Sequence, residues 1–171
     1  MQLSKNFSLR EMTKSQTATR KGIPNKPSGT HQSNLVLLCQ HILQPIREHF
    51  KKPVRITSGY RSAELCVAIG SSVNSQHAKG QAADFEITGI SNQVLAEWID
   101  ENLNYDQLIL EFWNKSDPNS GWVHCSFNNN VENRKQFLRA YRNNEGKVKY
   151  DVYDANDYVT ESDILGGTKA K

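Results

Sequence analysis

The sequence predicts an α+β fold, an antiparallel sheet with flanking helices. Three observations carry that expectation. Leu35, Leu38, Cys39, Ile42, Ile46 and Phe50 recur at helical spacing and place an amphipathic helix over 33–50. Residues 82–88 alternate, with Ala82, Asp84 and Glu86 on one face and Ala83, Phe85 and Ile87 on the other, the period of a half-buried strand. The runs "QLILEFW" and "GWVHCSF" are rich in β-formers and are separated by the polar segment "NKSDPNS", a hairpin pattern.

The remaining elements follow in order. Residues 1–32 read as a loop-rich N-terminal segment packed on the domain, because "KGIPNKPSGT" holds two prolines and two glycines. Pro45 should kink or restart the 33–50 helix. In "PVRITSGYRS", Val54, Ile56 and Thr57 suit a short strand and Ser58-Gly59 a turn. Residues 62–69 suit a short helix with Gly70 as its C-terminal stop. Residues 91–103 return to helical period behind Ser91 as N-cap. "ENRKQFLRAYR", 132–142, is expected to be a short helix with a basic outer side. One domain over 1–153 is expected, followed by a polar, frayed tail over 154–171.

Composition narrows the function classes. With 171 residues, 37% hydrophobic and 23% charged, the chain suits one globular domain. Its net charge of +3 is mild and its Lys and Arg are scattered, so nucleic acid is not an expected partner. No stretch is apolar enough to span a membrane, and the N-terminus has no signal-peptide core. The expectation is a soluble monomer made in the cytoplasm and released, if at all, by another factor. Cys39, Cys66 and Cys125 are odd in number, widely spaced and without a CxxC, so they are expected to be unbridged buried residues.

The chemistry concentrates in "SQHAKGQAADFEI", 75–87. His77 and Asp84 are an odd seven residues apart, which an unbroken strand would send to opposite faces. A turn at Gly80 lets His77 return above the strand that carries Asp84. In "GWVHCSF", alternation puts Trp122, His124 and Ser126 on the polar face and Val123, Cys125 and Phe127 on the core face. Two imidazoles and one carboxylate, with no evident fourth protein ligand, suit a single catalytic Zn²⁺. Glu111, a charge inside an apolar run, has a reason to be there as a general base. Arg61, just after the Ser58-Gly59 turn, can offer fixed positive charge to an oxyanion. His31, His41 and His49 are expected at the surface.

"SGYRS" (58–62), "SQHAKGQAAD" (75–84) and "WVH" (122–124) resemble the D-Ala-D-Ala metallopeptidase family. That family includes D-Ala-D-Ala carboxypeptidases, D-Ala-D-Ala dipeptidases and bacteriophage L-alanyl-D-glutamate endopeptidases. The HxxGxAxD element matches at His77, Gly80, Ala82 and Asp84, and the similarity runs from about Leu3 to Phe127. The resemblance implies the Hedgehog/DD-peptidase fold. It implies His77, Asp84 and His124 as zinc ligands, Arg61 as a transition-state clamp, and peptidoglycan stem peptides as substrate, in the manner of an endolysin. Several members carry the catalytic Glu in an ExWH motif, where this chain has Gly121. The base is therefore expected at Glu111, with Glu86 in reserve because it shares the Asp84 face. A D-Ala-D-Ala carboxypeptidase and a non-catalytic zinc-stabilised binding module are the alternatives.

Overall fold

A computed structural model describes residues 1–158. Its centre is a six-stranded sheet of β1 (Arg55–Ser58), β2 (Ala82–Glu86), β3 (Gln107–Glu111), β4 (Trp122–Ser126), β5 (Gln136–Arg142) and β6 (Val148–Val152). The strand order is β1-β2-β4-β3-β5-β6. All neighbours are antiparallel except β3 and β5, which run parallel. The helices are α1 (Leu9–Met12), α2 (Gln16–Lys21), α3 (Gly29–Leu38), α4 (Gln44–Phe50), α5 (Ala63–Ala68) and α6 (Asn92–Asn102). The α+β expectation holds, and none of the described helices is long and apolar enough to cross a membrane.

The two faces of the sheet are separated by the strand period. Ala83, Phe85, Leu108, Leu110, Val123 and Cys125 are fully buried on one face. There they join Leu35 and Leu38 from α3, Ile42 from the turn of helix between α3 and α4, Ile46 from α4, and Leu95 and Ile99 from α6, in one core. The opposite face carries Asp84 beside His124 beside Ile109 across β2, β4 and β3.

The helix expected over 33–50 starts earlier, at Gly29, because Ser28 caps it through a bond from His31 N to its Oγ. Pro45 does interrupt it. A π-helical turn over Cys39–Leu43 precedes α4 and accommodates the missing N–H and the ring of Pro45. The N-terminal segment holds two short helices and buries Leu3, Phe7 and Met12 in the core.

Two expectations fail. Residues 136–142 are strand β5, not part of a helix. Phe137, Arg139 and Tyr141 alternate with Leu138 and Ala140, and pairing to β3 on one side and β6 on the other outweighs local helix propensity. Nor does the tail leave the body at 154. Ala155–Tyr158 form a 3₁₀ turn, Tyr158 meets Trp113 edge-on at 4.8 Å, and Asp157 pairs with Arg139 at 3.1 Å. The rest of the expected tail, 159–171, lies outside the described residues.

Candidate metal and catalytic site

His77 stands in a 3₁₀ turn over Gln76–Lys79, whose exit is Gly80 in the left-handed region at φ 71°. A side chain at Gly80 would also overlap the backbone oxygen of His31. Glycine is thus required twice over for the reversal that returns His77 above β2. Asp84 and His124 are direct partners across β2 and β4.

The three side chains meet in a buried cluster. His77 Nε2 lies 3.2 Å from His124 Nδ1 and 3.2 Å from Asp84 Oδ1, and His124 Nδ1 lies 2.8 Å from Asp84 Oδ1. His77 Nδ1 lies 2.7 Å from the carbonyl oxygen of Gly59, which can only accept, so Nδ1 carries the proton and Nε2 a lone pair. Burial lowers the pKa of His77, with the pull of Asp84 opposing, so the ring stays neutral. Burial alone would raise the Asp84 pKa, but its contacts with His77 and His124 hold it well below the usual carboxylate range. Three electron-rich atoms therefore converge with at most one proton among them. Tetrahedral zinc with ligand bonds near 2.0–2.1 Å needs donors about 3.3 Å apart, so the donor set fits such an ion.

Supporting contacts fix the cluster. Arg61 Nη2 donates to Asp84 Oδ2 at 2.7 Å, and Arg61 Nε donates to Ser58 Oγ at 2.8 Å. The outer carboxylate oxygen is thereby occupied while Oδ1 faces the imidazoles. The roles of Ser58 and of the Gly59 carbonyl escaped the sequence reading, although "SGYRS" marked the segment that holds them. The Gly59 position is itself tight, since a side chain there would overlap the Met12 backbone oxygen. The N-terminal segment thus forms part of the site's support, with Tyr60 N donating to Met12 O at 2.7 Å.

Glu111 ends β3 directly opposite Trp122, one step along the face from the Ile109–His124 pair. Burial pushes its carboxyl up to about 7, and the negative charge of Asp84 adds to the rise. Phe112 at φ 54° and Gly121 at φ 66° bend the mouth of the hairpin beside it. Glu86 is engaged elsewhere, accepting from Arg55 Nη1 at 2.7 Å. Trp122 lies opposite Glu111 on the same side of the sheet, and a hydrogen bond from its buried indole N–H to the Glu111 carboxylate offsets part of the rise.

The cysteines take no part. Cys39, Cys66 and Cys125 are all free and buried. Burial raises each thiol's pKa, that of Cys39 to about 12. Of the other histidines, His41 and His49 are exposed, each stacked on an aromatic ring, while His31 is half-buried near Tyr60. A polar hollow of about 610 Å³ adjoins His124, lined among others by Gln76, Asp106 and Arg134. Asp106 accepts two side-chain bonds from Arg134 and one from Gln76, a network with no sequence signature.

A mixed sheet presenting a buried His-Asp-His donor set, with a carboxylate of raised pKa on the same face, defines a metallohydrolase-type site. The Peptidase M15 family model matches residues 5–126, through the end of β4, and the chain belongs to that family of zinc-dependent peptidases. No curated protein matches it significantly.

Proposed function

We propose that this peptidase hydrolyses peptide bonds in peptidoglycan stem peptides, as an endolysin-like wall enzyme binding one zinc ion through His77 Nε2, Asp84 Oδ1 and His124 Nδ1. The convergence of those three donor atoms is the observation that carries the reading. Zinc, when bound, supplies Lewis acidity that polarises the scissile carbonyl and acidifies the attacking water.

The chain's own groups supply the rest. Glu111 accepts a proton from the attacking water as its oxygen bonds to the carbonyl carbon. It then returns that proton to the leaving nitrogen as the C–N bond breaks. Burial raises this carboxyl above the ordinary carboxylate range, which favours a group that both accepts and returns a proton. Arg61 holds Asp84 in position, and its Nη1, committed to neither Asp84 nor Ser58, is a donor for the carbonyl oxygen as charge develops. A binding module without turnover has no use for a carboxylate kept at that cost in burial, which disfavours that alternative.

Mass spectrometry of purified peptidoglycan digested with the zinc-loaded protein tests the reading. The expected result is new amino termini inside the stem peptides. Release of only a terminal residue would make the enzyme a carboxypeptidase. Undigested wall and intact soluble stem peptides would refute the proposal.

A further inference from the structure

A groove of about 480 Å³ lies along the outer side of β1. One wall is β1 itself, from Arg55 to Ser58, and the other is the segment entering α2, with Lys14, Gln16 and Arg20. Ile56, Leu65 and Ile69 give it an apolar part. Arg61 also lines it and bonds to Asp84, so the groove adjoins the donor cluster.

Its charge is one-sided. Lys14, Arg20, Arg55 and Arg61 line it, and no carboxylate among the described residues does. Arg55 and Arg61 are paired, to Glu86 and Asp84. Lys14 and Arg20 are exposed, and neither has a carboxylate in ion-pairing distance among the described residues. Two unpaired cations in a concave wall focus positive potential into the groove. β1 is one of the two outer strands of the sheet and, among the described residues, pairs only with β2. Such an edge offers main-chain groups to an added extended segment, and neighbouring pockets then select its side chains.

Resting on the peptidase reading above, we infer that this groove binds an extended, carboxylate-bearing segment of the peptide substrate. The segment's main chain lies along β1, its carboxylates face Lys14 and Arg20, and its scissile bond is delivered towards Arg61 and Asp84. Neither cation belongs to the proposed catalytic set, so both can be neutralised without touching it.

The test uses a fluorescent synthetic stem peptide with its side-chain carboxylates free, and the same peptide with them amidated. Anisotropy measures binding to zinc-loaded wild type and to the Lys14→Gln/Arg20→Gln double variant, and kcat and KM are measured in parallel. Wild type should bind the free-acid peptide more tightly by roughly 3- to 30-fold, from two exposed ion contacts. That preference should shrink with added salt and vanish in the variant, with kcat unchanged. Equal affinity of wild type for both peptides, or equal weakening of both in the variant, would overturn the inference. Acid-dependent binding without cleavage would leave the groove assigned and refute the peptidase reading. Cleavage with no acid preference would do the reverse.

Discussion

A β-carbon at Gly121 would overlap the backbone carbonyl oxygen of Glu111. Gly121 also sits at φ 66°, where side chains are rarely accommodated. The position three residues before His124 can therefore carry no carboxylate here, while the adjoining strand offers Glu111 opposite Trp122. Gly121→Ala should lose about 2–4 kcal/mol, from left-handed strain plus displacement of the β3 backbone. Urea denaturation measures it, and a loss below about 0.5 kcal/mol would mean that the hairpin mouth relaxes freely.

Glu111→Gln should keep zinc and fold but lose on the order of 10²–10⁴ in kcat, the usual cost of removing a general base. Gln fills nearly the same space and cannot accept the proton, so KM should change little. Glu86→Gln is the control and should be mild, since Glu86 serves an ion pair with exposed Arg55. The opposite pattern, an active Glu111→Gln and a dead Glu86→Gln, would move the base to Glu86.

Metal analysis by plasma emission should find one zinc per chain in wild type and none retained in His77→Ala or His124→Ala. Arg61→Lys should keep the metal but lower kcat, because a point charge cannot bond Asp84 and Ser58 together as the planar fork does. Cys125→Ser should retain zinc, and unfolded, unreduced protein should titrate three free thiols. Stoichiometric zinc in either histidine variant, or its loss with Cys125→Ser, contradicts the ligand set.

Much of this site was legible in the sequence because its parts are short-range. The Gly80 reversal and the alternation in β2 and β4 each lie within a few residues, and together they bring His77, Asp84 and His124 to one face. What escaped depends on long-range pairing. Strand β5 reads locally as a basic helix and becomes a strand only because β3 lies beside it in parallel. Strand β6, exposed along its whole length, has little burial pattern to detect. The Arg61–Asp84 bond and the Asp106–Arg134 network join residues 23 and 28 positions apart, and no local spacing announces them.

Residues 154–158 should matter for stability. Tyr158 packs on Trp113, which belongs to the core, and Asp157 pairs with Arg139. Tyr158→Ala should lower stability by about 1–3 kcal/mol, the range for stripping a large partly buried ring. Thermal and urea unfolding check this. An unchanged midpoint would show that the turn only rests on the surface.

The raised pKa of Glu111 makes stability depend on pH in the metal-free protein, and the sign is fixed by linkage. Below about 4.5 the carboxyl is protonated in both folded and unfolded chains and contributes no difference. Between 4.5 and about 7 the unfolded chain has released the proton while the folded chain keeps it, so stability falls as pH rises. Above 7 both are ionised and the loss is complete, amounting to about 1–3 kcal/mol once partial exposure of the group is allowed for. Glu111→Gln has no proton to release and escapes the loss. In the presence of a chelator, the variant should therefore match wild type near pH 4.5 and exceed it by that margin at pH 8. Urea unfolding of both proteins at pH 4.5, 6 and 8 measures the difference, in which other titrating groups largely cancel. A stability gap that stays constant with pH would show that Glu111 is solvated as an ordinary surface carboxylate, and would remove the electrostatic basis for its assignment as the base.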